Sequence, residues 1–176
     1  MNHPTILLCK NTLCMIAFAL LSAASLQAAT VSAHVYSVAG TVEFAGPGSS
    51  NYAPLKARQD LAVGSTVRTG DDGVAVIVTT KGSAIQVGNS SIVKINKLAF
   101  AQSGSDVTQR AVNLQLTSGV VSALIDPSTP KITDFQVQTP EGAAAARGTF
   151  YAVLVYHGKT YVGCKEGHVA VKANGQ

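Results

Sequence analysis

The feature that most constrains this chain is its punctuation. From residue 35 onward, short apolar runs are cut by turn residues: Gly70-Asp71-Asp72-Gly73, Lys81-Gly82-Ser83, Gly88-Asn89-Ser90, Ser118-Gly119, Asp126 to Pro130, His157-Gly158-Lys159 and Lys165-Glu166-Gly167. Turns that close together leave room for strands and not for helices. Val112, Leu114 and Leu116 alternate with Asn113 and Gln115, and Phe135 and Val137 with Gln136 and Gln138, the period-2 pattern of a half-buried strand. No helical periodicity of useful length competes. The alanine run Ala143 to Ala146 is too short to hold a helix by itself and reads as a crossing segment or a single turn. The expected fold is all-β: many short strands in a sandwich, a roll or a solenoid-like stack. The turn–strand unit recurs without a fixed period, so no formal repeat is assigned.

Several segments carry sharper expectations. Val35 to Phe44 reads as a first strand bent at Gly40, Ala45 to Pro54 as a loop, and Ala101 to Arg110 as a loop or hairpin tip. Gly70 to Gly73 reads as a turn joining Thr66–Thr69 to Val74–Thr79. Ser118-Gly119 reads as a turn before Val120 to Ile125. Pro140 has no N–H and should close the strand that ends at Thr139. Phe150 to Tyr156 is apolar on both faces, which predicts a strand covered on both sides. Between these lies Arg147-Gly148-Thr149. Arg147 sits between apolar segments and is predicted to be partly buried, and a buried guanidinium needs acceptors. Glu166 or backbone carbonyls are expected to supply them, tying this corner to the Glu166-Gly167 turn. The alternative is an anion-binding role for Arg147.

The N-terminus reads as a targeting segment. Lys10 precedes an apolar core, Leu13 to Leu21, followed by small residues through Ala29. That is the pattern of a secretory signal peptide cleaved after Ala29; the apolar stretch is short for a membrane span of about 30 Å. The expected organisation is therefore residues 1–29 as signal peptide and 30–176 as a single β domain, exported to the periplasm or secreted, with no transmembrane segment in the mature chain. Cys9 and Cys14 leave with the signal, so Cys164 has no intramolecular partner; its strand context predicts buried packing.

The chain offers little for catalysis. Formal charge is +4, one less without the N-terminal segment, and Lys and Arg never run three together, which argues against nucleic acid as a partner. Gly158-Lys159-Thr160 lacks the first glycine of a phosphate-binding loop, since position 153 is valine. His157, Cys164 and His168 match no zinc spacing and lack a fourth ligand. Asp60, Asp71 and Asp72 suit solvated turns better than a calcium site. No Gly-x-Ser-x-Gly element and no spaced His–carboxylate–nucleophile set occurs. No catalytic, cofactor or metal residue is assigned, and the chain is read as a non-enzyme.

Taken in order, certain pieces resemble the FecR domain, a periplasmic β-rich domain. They are Leu61-x-x-Gly64 to Arg68-Thr69-Gly70-Asp71, Ala75-x-Ile77, Lys81-Gly82-Ser83, Leu116-x-x-Gly119-Val120-Val121, Phe135-x-Val137-x-Thr139-Pro140, Ala146-Arg147-Gly148-Thr149-x-Tyr151 and Glu166-Gly167-x-Val169. The resemblance implies the fold, the periplasmic compartment and a role as a binding module. The family's named member adds a cytoplasmic anti-sigma segment, a transmembrane helix and a receptor-contacting part. This chain has a cleavable signal in place of the first two and ends after the β domain, so relay across the inner membrane is not expected of it. The motif residues Thr139, Pro140, Arg147, Gly148, Thr149, Glu166 and Gly167 read as structural rather than functional.

The functional expectation is an exported, non-enzymatic module that binds a protein or another cell-envelope component, with a place in envelope signalling open to it. The alternative is a glycan- or polymer-binding β module. A solvent-facing row among Tyr36, Tyr52, Tyr156 and Tyr161 would favour that alternative, and the absence of Trp counts against it.

Overall fold

A computed structural model describes residues 31–174; the segment read as a signal peptide and the last two residues lie outside them. The described residues form fourteen strands and no helix, so the all-β expectation holds. The strands are β1 (Ala33–Ala39), β2 (Val42–Ala45), β3 (Ala53–Pro54), β4 (Asp60–Leu61), β5 (Thr66–Thr69), β6 (Val74–Thr80) and β7 (Ser83–Val87). They continue with β8 (Ile92–Ser103), β9 (Asp106–Ile125), β10 (Thr133–Thr139), β11 (Gly142–Ala146), β12 (Phe150–Tyr156), β13 (Lys159–Glu166) and β14 (Val169–Ala173).

These strands make two layers that share one long strand. The first layer runs β4-β1-β6-β7-β9-β12-β13. The second runs β3-β2-β5-β8-β9-β10-β11-β14. All pairs are antiparallel except β9–β10, which is parallel. Residues Arg110 to Gln115 of β9 pair with β10 in the second layer, and Gly119 to Ile125 pair with β7 and β12 in the first.

Chain corners carry the other segments between layers, and here the structure departs from the expected turns. Gly40 does not bend one strand; it separates β1 in the first layer from β2 in the second. Gly70 to Gly73 joins β5 and β6, which do not pair with each other. Ser118-Gly119 is no turn but a corner within continuous β9. Gly119 has φ +84°, and a Cβ there would lie 2.5 Å from Ser91 Cα. Only glycine fits a bend that tight. Successive corners are stitched side by side: Gly70 N–H donates to Thr41 O at 2.8 Å, Ser90 N–H to Gly70 O at 2.8 Å, and Val120 N–H to Ser91 Oγ at 2.9 Å.

One core fills the space between the layers. Val35, Ile77, Ile85, Val121 and Val153 enter from the first layer, and Val67, Ile95, Leu114, Leu116 and Val137 from the second. The rings of Phe135 and Tyr151 meet edge-on across it, with centroids 6.3 Å apart.

Two further expectations change, and a third is resolved in favour of a hairpin tip. The alanine run is strand β11, held between β10 and β14, with Ala144 and Ala146 facing the core. Alanine has poor strand propensity, but two bonded neighbours and burial outweigh it. The segment Ala101 to Arg110 is mostly strand, the ends of β8 and β9 around a tip at Gly104-Ser105. Strand β12 is covered on one face only: Tyr151, Val153 and Val155 are buried, while Phe150, Leu154 and Tyr156 face solvent.

Candidate interaction surfaces

The motif residues gather where β10 to β14 change layers. Thr139 is buried; its Oγ1 accepts from Gly142 N–H at 3.2 Å and so closes the hairpin over Pro140-Glu141. Glu141 Oε2 accepts from Thr160 N–H at 2.6 Å, linking that hairpin to β13. Gly148 leaves no room for a side chain, since a Cβ would lie 2.6 Å from Pro127 Cα. Thr149 is buried, its carbonyl accepts from Ile125 N–H at 3.0 Å, and Gly167 packs against its side chain.

Arg147 does not behave as expected. It is exposed and makes no ion pair with Glu166, which is exposed as well. Alternation explains this: Ala144 and Ala146 take the inward positions, so Arg147 ends the strand on the solvent side. The buried guanidinium belongs to Arg110, 2 % exposed, on the inward face of β9 opposite Thr133. Its Nη1 donates to Thr133 Oγ1 at 3.3 Å and to Asp126 O at 3.4 Å, and Nη2 lies 3.8 Å from Asp126 Oδ2. Ser128 N–H, bonded to Asp126 Oδ1 at 2.9 Å, and secondarily the Arg110 charge hold the Asp126 carboxyl below the usual aspartate range. The signal that could have found Arg110 was the break in apolar alternation at the start of β9, which reads like a loop end when β10 is unknown.

The two layers end in β13 and β14, and neither has a second neighbour among the described residues. Register fixes which way their side chains face, because directly opposed residues share a side. Val171 lies opposite buried Ala144, and Val162 opposite buried Val153. Both valines therefore face inward, toward the gap between layers, yet Val171 is 62 % exposed. A cleft of about 500 Å³ opens there, lined by Thr139, Ala144, Thr160, Val162, Val171 and Ala173. Cys164 lies opposite Tyr151 and faces inward too, but it is exposed rather than buried because no strand among the described residues covers this end.

The outer faces differ in kind. The first layer shows Leu124, Phe150 and Leu154 to solvent. Of the candidate tyrosines, Tyr156 and Tyr161 sit on the β12–β13 hairpin and Tyr36 on β1, near the other edge of that layer; Tyr52 lies under Arg68, 4.1 Å from its ring centroid. They form no row. The second layer shows two cross-strand rows. One runs Lys94, Gln115, Gln138, Ala143, Lys172, and the next Lys97, Asn113, Gln136, Ala145, Ala170.

No cluster of three or more His, Cys, Asp or Glu side chains that could hold a metal occurs among the described residues. No described helix is long and apolar enough to cross a membrane. A family model described as FecR protein matches residues 65–170, from just before β5 into β14. No curated protein and no solved structure matches the chain.

Proposed function

The chain belongs to the FecR protein family, and from that premise we propose that it is an exported, non-enzymatic interaction module of the cell envelope whose partner protein adds an extended strand at the open end. Domains of this family are periplasmic and regulatory. The reading takes residues 30–176 as one domain after a cleaved segment 1–29. The pairing of β1 with β6 and of β2 with β5 supports the single domain, since it knits the strands before the family match to those within it.

The observation that carries the proposal is the uncovered inner face at β13 and β14. Inward-facing valines normally lie under a neighbouring strand, and an exposed apolar patch of this kind marks an interaction site. The two edges are not equivalent. Strand β13 carries Lys159, Lys165 and a register shift opposite Phe150-Tyr151, devices that discourage edge pairing. Strand β14 has a regular register, no proline and a single lysine. Adding a strand there would supply main-chain hydrogen bonds and bury Val171 under the newcomer's apolar side chains. In this reading Thr139, Pro140, Gly148, Thr149 and Gly167 build the end of the stack, and Arg147 and Glu166 stand exposed at its rim.

The test is crosslinking of the chain in its own envelope, followed by affinity capture and mass spectrometry. One saturable protein partner is expected, lost from a Val171→Asp variant that keeps its melting temperature. Capture that is unchanged by Val171→Asp would contradict the strand-addition reading, and capture of no protein would contradict the module itself.

A further inference from the structure

The outer face of the second layer points away from the core and meets the cleft only at Ala143 and Lys172, and its hydrogen-bonding groups are out of balance. A side-chain amide offers one acceptor oxygen and two N–H donors. Asn96 Nδ2 donates to Asn113 Oδ1 at 3.2 Å and to Gln138 Oε1 at 3.3 Å, and Asn113 Nδ2 donates to Gln136 Oε1 at 2.7 Å. The network thus consumes the oxygens of Asn113, Gln136 and Gln138, while the amide nitrogens of Gln136 and Gln138 bond to no protein group among the described residues. Free N–H groups of Gln136 and Gln138 therefore predominate, beside the free oxygen of Asn96 and the unbonded amide of Gln115.

The charges have the same sense. Lys94, Lys97 and Lys172 bracket the two amide rows and form no ion pair among the described residues. Of the carboxylates on this face, Asp134 sits one row beyond, opposite Ala111, and Glu43 is taken up by Arg68 at 2.6 Å. Between the glutamines and Lys172, the small side chains of Ala143 and Ala145 leave the surface low and flat. Five strands spaced about 4.8 Å apart make a shelf roughly 19 Å long. An extended sugar chain advances by a comparable step per ring, so one laid across the strands meets a similar environment at each unit.

We propose that this face binds a linear polysaccharide bearing carboxylates, an acidic glycan of the envelope. Its carboxylates meet Lys94, Lys97 and Lys172, and its ring and hydroxyl oxygens accept from Gln136 and Gln138. Charge-assisted and amide hydrogen bonds carry the recognition, so it needs none of the aromatic stacking that the scattered tyrosines cannot supply. The shelf borders the cleft at Ala143 and Lys172, but its binding groups are the outward side chains and do not depend on strand addition.

The probe is a polygalacturonate fragment of defined length, titrated against the purified chain at fixed salt. Neutral dextran of similar length and single-stranded DNA of matched charge serve as comparisons. Polygalacturonate should bind at least tenfold more tightly than either. Replacing both donors with acceptors of the same shape, Gln136→Glu with Gln138→Glu, should weaken it at least tenfold. Lys94→Ala with Lys172→Ala should do the same, and carries the test should the glutamate pair not fold. Lys131→Ala, off the shelf, should change nothing. Equal binding of the DNA would reduce the face to a general attraction for polyanions and overturn the proposal, as would binding no tighter than dextran or indifference to both double variants. Val171→Asp should leave this binding intact, so the strand-addition reading can fail without it.

Discussion

At the scale of single residues, the two arginines separate fold from surface. Arg110 is buried at the junction of β9, β10 and the Asp126–Pro130 turn, and its Nε has no protein partner even there. Removing it empties space lined by Thr133 and Asp126. Arg147, although it sits in the family motif, is exposed and forms no ion pair among the described residues. Arg110→Ala should destabilise the chain by about 2–5 kcal/mol, the range for large-to-small changes in cores. Arg147→Ala should stay within about 0.5 kcal/mol, as surface changes do. Urea unfolding monitored by circular dichroism measures both; equal losses would contradict the assignment of the buried guanidinium. The sequence could not place Arg110, because its burial comes from the parallel pairing with β10, a contact no local pattern announces.

At the scale of elements, corners rather than hairpins organise the molecule. Local pattern located most strands and most glycine-bearing breaks, since both depend on nearest neighbours. It did not distinguish a turn that returns a strand on itself from a corner that sends it to the other layer. At Gly119 that difference depends on Ser91, twenty-eight positions earlier in the chain. The alanine run departs from its expected crossing segment for the same reason: weak strand propensity gives no sign of β10 and β14 on either side. The burial expected for both faces of β12 follows its composition, but among the described residues no strand covers its outer face, where Lys165 lies over the Phe150 ring. Gly119→Ala should therefore cost more than about 2 kcal/mol, combining a left-handed residue with a clash against backbone. Gly104→Ala, at φ +58° with open space around the added Cβ, should cost about 1 kcal/mol. Comparing their denaturation midpoints tests the corner directly.

At the scale of the whole molecule, the described residues close the stack at one end and leave it uncovered at the other. Near β1 to β4, the short strands and the segment carrying Leu55 close over the core, with Leu55 and Leu61 buried. At β13 and β14, inward-facing side chains meet solvent. Family membership was legible in the order of the Thr-Pro, Arg-Gly-Thr and Glu-Gly pieces, but this asymmetry was not, because exposure at an end depends on which strand is last in each layer. The most direct measurement is site-specific photocrosslinking in the intact envelope, with a benzophenone side chain placed in turn at Val171, at Gln86 on the outer face of the first layer, and at Arg58 at the closed end. A discrete protein adduct is expected from position 171 and none from 86 or 58. Adducts from 86 or 58 with none from 171 would contradict the strand-addition reading.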